Sequence, residues 1–475
     1  MRRFFISLII LFIILSAAYS IIIPIFNAPD EPFHFEYMQF IAHHKTIPNQ
    51  ALEKHSISTE GFNPPLYYII NTLCLSLLSK NKASDIKIHT YQDIAHFLQQ
   101  PSGGFRGDLY PPLNPRYIKW GRGTERNMFL TSSEDTFPFA GSIRILHILR
   151  IISVLFGALT IFFIFKTAAL IFPDNKNIPM LAASLCALNP QFNFLSGSLN
   201  NDNLVIVWAT LSIWCITKLF MSHDEDRRRT IALLGTYIGL GLITKVNIAG
   251  IAFVSLIALV MSWLTKKQKR LKDLSIDCAL FVVPAAAVSG WYFVRNSIIY
   301  GVNDIMGWHL LARKNPGLVL PPHYRSMVFK KIFFQRLFTS FWGLFDWLTI
   351  PLPKWTYWIY GAISIAGIWG LIHALGGKKH EKHTRILSSL YLGAILITLI
   401  NLIVLNFTFL SAQARLIFPV IACFSIFMAI GIERALHLCA HLLRVKKDYF
   451  VYGFIGLILG LNLYALIWII YPIYR

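Results

Sequence analysis

Two neighbouring stretches decide how this chain is read: FFISLIILFIILSAAYSIII (4–23) and, three residues later, NAPDEPFHFEYMQFIAHHKTIP (27–48). The first carries no charge over twenty residues, the length at which a helix crosses a bilayer. The second brings Asp30 and Glu31, bracketed by Pro29 and Pro32, to the point where the chain leaves the membrane. Ionisable groups are costly at that depth, and those that persist face a protein cavity and have a task there. The local reading is structural. Asp30 is the N-cap of a short helix that Pro32 helps to start. That helix puts Phe33, Tyr37, Phe40 and Ile41 on one face, a pattern suited to lying on the membrane surface. Capping leaves the second, adjacent carboxylate unexplained, so Asp30 and Glu31 are also the first candidates for chemistry.

Outward from this point the composition is that of an all-α polytopic membrane protein. The chain has 475 residues, 55% of them hydrophobic and 14% charged, with apolar runs throughout. A net charge of +21 invites a nucleic-acid reading, but the Lys and Arg fall mostly in short loops between apolar runs, as the positive-inside rule requires, and nucleic acid is excluded. The six Cys are scattered, with neither a CxxC nor a metal-ligand spacing, which argues against a disulfide framework and a zinc site. Arg2 and Arg3 place the N-terminus in the cytoplasm. The apolar run behind them exceeds the core of a signal peptide, so an uncleaved helix is expected.

Ten further spans follow, at 145–171, 179–195, 203–221, 230–246, 248–264, 274–294, 355–374, 386–409, 416–435 and 449–471, making eleven. Alternation then puts the charged runs 226–229, 266–272, 378–385 and 444–447 in the cytoplasm, although none of them was used to set the orientation. The chain, 1–475, reads as one membrane domain. Residues 24–142 form a large first extracytoplasmic loop, with juxtamembrane helices (one over 65–78, too short to cross) and an irregular lobe; 295–354 is a second large extracytoplasmic segment.

Cytoplasmic span ends carry plain basic runs. Outer ends carry single, unlike polar residues: Asp30, Glu31 and His34; Asn63 before Pro64 and Pro65; Arg150; Asn201 and Asp202; Lys245; Arg295; and Arg415. Taken singly, each has a plain explanation, snorkelling for an Arg or Lys and a turn or N-cap for Asn201-Asp202. Several outer segments contributing to one face suit the binding of an anionic lipid head group by cations, with a carboxylate as general base on a hydroxyl. There is no P-loop and no dinucleotide fingerprint. An activated donor used outside must therefore arrive through the membrane as a lipid phosphate.

At these residues the chain resembles the GT-C superfamily of polyprenyl-phosphate-sugar-dependent membrane glycosyltransferases, in the branch of the protein O-mannosyltransferases and the lipid A aminoarabinose transferase. Residues 27–48 are similar to that family's P-D-E-x-x-H-x-x-Y start of the first external loop, and NPPLYY (63–68) to its PPLYY. Residues 150–158 match R-x-x-S-x-x-x-G-A, and NPQFNFLSGSLNNDN (189–203) resembles its NND turn. Thr244-Lys245, GWYFVRNSIIYG (290–301) and ARLIFP (414–419) complete the set. Leu416 departs from the usual Tyr, and the lobe 80–142 is longer than in compact members.

The resemblance implies a GT-C type bundle and a single inverting displacement. Asp30 would deprotonate an acceptor hydroxyl, with Glu31 orienting the acceptor or sharing that role. Arg150, Lys245, Arg415 and Arg295 would bind the donor phosphate, and His34, Asn63, Asn201 and Asp202 would line the substrate site. The expected partners are a polyprenyl-phosphate-linked sugar, membrane lipid, and a glycan, lipid or protein hydroxyl as acceptor. No metal or other cofactor is expected to be obligatory, with a divalent metal near Asp30, Glu31 and Asp202 as the alternative. A polymerase or ligase of lipid-linked glycans, and a transporter or flippase of a lipid-linked sugar, are the competing readings. A flippase favours inverted repeats and ionisable groups near the midplane, neither of which is visible. The orientation is open to direct test: in a cysteine-free background, Ser102→Cys should label with impermeant maleimide from outside and Gln268→Cys only from inside. Labelling of both from one side would overturn it.

Overall fold

The structure is a computed structural model that describes residues 1–52, 55–79, 137–221, 226–265, 268–314, 332–376, 382–409 and 411–474. Most of the expected irregular lobe lies outside these residues. Helix α1 (Arg2–Ile22) is the first apolar stretch. The chain turns through 23–30 into α2 (Glu31–His44), makes a 3-10 turn at Thr59–Phe62 and enters α3 (Leu66–Ser79). Then come α4 (Gly141–Ile171), α5 (Asn177–Ala187), α6 (Pro190–Ser196), α7 (Asp202–Met221), α8 (Arg227–Leu242), α9 (Ala249–Leu264) and α10 (Leu271–Tyr300). Short helices α11 (Trp308–Lys314) and α12 (Phe334–Trp342) precede a small antiparallel ladder, β1 (Leu344–Phe345) with β2 (Ile350–Pro351). Helices α13 (Lys354–Gly376) and α14 (Lys382–Asn406) follow. A 3-10 stretch, Ala414–Val420, then runs into α15 (Ile421–Leu442), and α16 (Lys447–Tyr464) continues through a π turn into α17 (Tyr471–Tyr474).

Among the described residues, nine helices are long and apolar enough to cross a membrane. They cover nine of the eleven expected spans. The other two are helical but different in kind. Where 179–195 reads as one span, the helix breaks between α5 and α6. Pro190 has no N–H to continue the ladder. The Asn189 side chain caps α6 by accepting from the Phe192 amide at 3.0 Å, while Asn193 Nδ2 takes the carbonyls of Ala187 (2.8 Å) and Asn189 (2.9 Å). The expected span 230–246 is α8, sixteen residues long and opening on three arginines.

Helix α2 does not lie on a membrane surface. Eleven of its fourteen residues are buried, on every side of the helix. Residues of α3 cover it, and Trp347 packs edge-on against Phe33. Its apolar face was legible in the sequence, but its partner is protein.

The bundle core lies where α4 packs on α1, α5 and α7, and where α15 packs on α5 and α13. Two helix pairs touch backbone to backbone through glycine, as small residues allow in membrane helices. A Cβ on Gly431 of α15 would lie 1.7 Å from the Ala366 carbonyl oxygen of α13, and one on Gly235 of α8 would lie 2.1 Å from that of Phe281 on α10.

Charged residues collect at the two ends of the bundle. One end carries the basic runs, with Lys176–Asp448 at 2.7 Å, Arg227–Asp277 at 2.7 Å, and Glu433 taken by Lys447 and Asn175. The other end carries Asp30, Glu31, Arg150, Asp202, Lys245 and Arg415. Gly431→Ala should lower the thermal unfolding temperature in detergent, at a cost of roughly 1–3 kcal/mol for forced repacking. Gly453→Ala, which has nothing within 4 Å of the new methyl, should leave it unchanged.

Candidate active site

The site begins with a helix end that needs a partner. Pro24 has no N–H, so the Ser20 carbonyl at the C-terminus of α1 has no i+4 donor. The Arg150 guanidinium, reaching across from α4, supplies one at 2.8 Å. It also donates to the Ile23 carbonyl at 2.8 Å and the Pro24 carbonyl at 3.0 Å. Its remaining two N–H groups grip Glu31, Nε to Oε1 at 2.7 Å and Nη2 to Oε2 at 2.6 Å. Glu31 also accepts from the backbone amides of Phe26 (2.7 Å) and Leu199 (2.9 Å). Both side chains are 1% exposed. All five guanidinium donors are committed, and both carboxylate oxygens are filled. This corrects two expectations: Arg150 is not open to a donor phosphate, and Glu31 is not open to an acceptor.

Asp30 has the opposite fate. It does not cap α2, contrary to the local sequence reading. Its φ is +65°, in the left-handed region, and its side chain makes no cap hydrogen bond. Asp and Asn tolerate that conformation better than most residues. With the backbone turned this way, the Asp30 carboxylate stays 27% exposed and pairs with Arg415 Nη2. Burial pushes the Asp30 carboxyl upward, and the attraction of Arg415 and Lys245, with the Arg415 hydrogen bond, outweighs it; the net value lies below the ordinary one. Asp30 is therefore a carboxylate at neutral pH.

Around this pair the other outer residues assemble. The Asn200 side chain accepts from the Asp202 amide at 2.8 Å and shapes the turn that starts α7. Lys245, just after α8, donates to Asp202 Oδ1 at 2.7 Å and Asn201 Oδ1 at 3.1 Å. The second Asp202 oxygen lies 3.9 Å from Arg415 Nε. Two carboxylates thus face two cations, and Lys245 and Arg415 keep 16% and 12% of their side chains exposed. A small recess beside Arg415 is lined by Pro29, Asn200, Ser340 and Gln413.

The network continues to a residue that the sequence reading missed. Asn201 Nδ2 donates to the Tyr68 hydroxyl at 3.3 Å, and that hydroxyl lies 2.9 Å from His34 Nδ1 and 3.3 Å from Glu60 Oε2. Asn63 also donates to Glu60 Oε2, so its amide is engaged inside the protein. The Glu60 carboxyl is pushed up to about 7: burial raises it most, Asp30 and Asp202 raise it too, and Lys245 and Arg415 oppose them. Burial pushes His34 down to about 3, so its ring is neutral. The available signal for Glu60 was its place three residues before Asn63, just ahead of the stretch 63–68 that resembled a family motif.

Arg295, expected at the donor phosphate, contacts the backbone after α2. It donates to the carbonyls of Pro48 (2.7 Å) and Ile47 (3.4 Å) and to Asn296 Oδ1 (3.1 Å), so it holds the chain after α2. Among the described residues, no group of three or more His, Cys, Asp and Glu side chains could hold a metal ion. Asp30, Glu31 and Asp202 do not converge, because Glu31 is turned inward onto Arg150.

The fold is that of an all-α, multi-pass membrane protein, with this polar cluster at one end of the bundle. Residues 12–424 match the family described as "Predicted membrane protein (DUF2142)", and the chain belongs to that family. Among solved structures, it resembles ArnT from Cupriavidus metallidurans in the apo state, with a TM-score of 0.53 and 12% identity over 99% of this chain and 73% of that one. The form bound to undecaprenyl phosphate gives a TM-score of 0.47 at the same identity and coverage. The Archaeoglobus fulgidus oligosaccharyltransferase tethered with an acceptor peptide also gives 0.47 at 12% identity; this chain spans 54% of that longer protein. At such identities the likeness is one of fold. No curated protein matches in sequence.

Removing one partner of the buried pair should be costly. Arg150→Met leaves Glu31 charged and enclosed, at about 3–5 kcal/mol. Thermal unfolding in detergent should show a large loss for Arg150→Met, partly restored in the double variant Arg150→Met/Glu31→Gln.

Proposed function

We propose that this protein is an integral membrane glycosyltransferase that moves a sugar from a polyprenyl-phosphate-linked donor to a hydroxyl acceptor on the extracytoplasmic side. In this reading the N-terminus is cytoplasmic, and 24–142 and 295–354 are extracytoplasmic. The observation that carries it is the partly exposed Asp30 carboxylate held against Arg415, with Lys245 and Asp202 beside them, at one end of an apolar bundle. A lipid phosphate lies at that depth, and paired cations are what it binds.

Without donor, Arg415 rests on Asp30. A bound donor phosphate competes for Arg415 and Lys245, and Asp30 is released toward the acceptor. The acceptor oxygen attacks the anomeric carbon while its proton passes to Asp30. The bond from that carbon to phosphate oxygen breaks, and polyprenyl monophosphate leaves with its charge held by Arg415 and Lys245. One displacement inverts the anomeric centre. Positive charge poised where negative charge grows is the logic of an oxyanion hole. Asp202 and Asn201 orient Lys245, and His34 stays neutral beside the base. The acceptor is a glycan, lipid or protein hydroxyl, and the chemistry needs no obligatory metal.

Asp30→Asn tests the base. Purified protein in proteoliposomes, given a radiolabelled undecaprenyl-phospho-sugar and its acceptor, should lose roughly 10²–10⁴-fold in turnover, the usual worth of a positioned acid or base. Binding of undecaprenyl phosphate should not fall, because the substitution frees Arg415. Because Asp30 sits below its ordinary value while Arg415 rests on it, the acid limb of kcat/KM, which reports the free protein, should fall below the usual carboxylate range. A folded Asp30→Asn variant with normal turnover would sink the assignment.

A further inference from the structure

Glu60 is built into the site, yet one of its oxygens has no task there. All its contacts fall on Oε2: the Tyr68 hydroxyl at 3.3 Å, His34 Nδ1 at 3.5 Å, and the Asn63 amide. Oε1 has no hydrogen-bond partner among the described residues, and the side chain is 13% exposed. The carboxyl is thus clamped on one side and open on the other.

Its position follows from α2. His34 stands four residues after Asp30 and its backbone N–H donates to the Asp30 carbonyl at 3.0 Å. Glu60 pairs with His34 and joins Lys245 through Tyr68 and Asn201. Under the proposed reaction, Asp30 marks the reacting carbon, and Lys245 and Arg415 mark the phosphate. A group linked to both stands beside the ring that joins them.

We propose that Glu60 is a specificity-determining residue that accepts a hydrogen bond from a hydroxyl of the transferred sugar through Oε1. The inference rests on the glycosyltransferase reading and adds to it the recognition of the sugar as distinct from the lipid phosphate. A carboxyl with a single free acceptor, fixed by three neighbours, discriminates well. A sugar lacking the matching hydroxyl, or carrying it on the other ring face, leaves that oxygen enclosed and unpaired.

Glu60→Gln is the informative variant. The amide oxygen must face the Tyr68 and Asn63 donors, so its NH2 takes the open position, and an acceptor becomes a donor. Binding to reconstituted protein would be measured with undecaprenyl phosphate and with undecaprenyl-phospho-glucose, -mannose and -galactose. Wild type should prefer one sugar-bearing lipid over undecaprenyl phosphate. Glu60→Gln should lower that preference about tenfold or more, as expected for a hydrogen bond to a charged group, and leave undecaprenyl phosphate binding unchanged. A second measurement needs no variant. The groups around Glu60 are Asp30 from the turn before α2, His34 and Tyr37 from α2, Tyr68 from α3, Asp202 from α7, and Lys245 and Arg415. His34 and Asp30 are shifted down, and Tyr37 and Tyr68 up, whereas Glu60 ionises at about 7. The wild-type preference should therefore strengthen from pH 6 to pH 8, as Glu60 becomes a pure acceptor. A sugar preference that survives Glu60→Gln, or that is flat in wild type from pH 6 to pH 8, overturns the role of Glu60 alone. A wild type with no preference for any sugar-bearing lipid and no transfer overturns the glycosyltransferase reading as well.

Discussion

The buried pair between Glu31 and Arg150 is the constraint on which the rest of this end of the molecule depends. Enclosing two charges is unfavourable unless every lone pair and proton finds a partner. Here each one does, and the partners come from four parts of the chain: the end of α1, the turn at Phe26, α4, and the loop before Asn200. Satisfying the pair therefore sets where α1 stops, how the chain turns and where α2 begins. With Glu31 directed inward at the first position of α2, the preceding residue has little freedom. Asp30 takes a left-handed backbone, and its carboxylate emerges on the open side.

Two adjacent acidic residues thus do different work because of one backbone angle. The enclosed carboxylate supplies rigidity, and the open one is left for chemistry. The surrounding charges follow the same division. Asp202 is wholly enclosed and serves to aim Lys245, whereas Lys245 and Arg415 retain exposed surface. The neutral His34 lets Tyr68, Glu60 and Asn201 join the network without adding a third cation.

Hydropathy and the distribution of Lys and Arg made the membrane class legible, because a span must be apolar over its whole length whatever it packs against. The span-end polar residues Asp30, Asn201, Asp202, Lys245 and Arg415 were also legible and do come together. Their roles were less so. Glu31 sits in the same motif as the open Asp30, and nothing in a sequence says that Pro24 leaves a carbonyl for Arg150 to fill. The apolar stripe of α2 looked like a membrane-facing surface because periodicity records that a face is buried, not what buries it. The break at Asn189-Pro190 was hidden inside a run apolar enough to read as one span. Glu60 was passed over because its environment is made by Tyr68, His34 and Asn63, which come together only in three dimensions.

The distances along the chain between these partners set an order of assembly. Glu31 meets Arg150 across 119 residues, whereas Asp30 waits for Arg415 across 385. Chains emerge from the ribosome N-terminal end first. The framework pair can close while most spans are still unmade, and the Asp30 carboxylate acquires its cation only when α15 is about to enter the bilayer. A partly synthesised chain therefore has the scaffold of the site but not its charge balance.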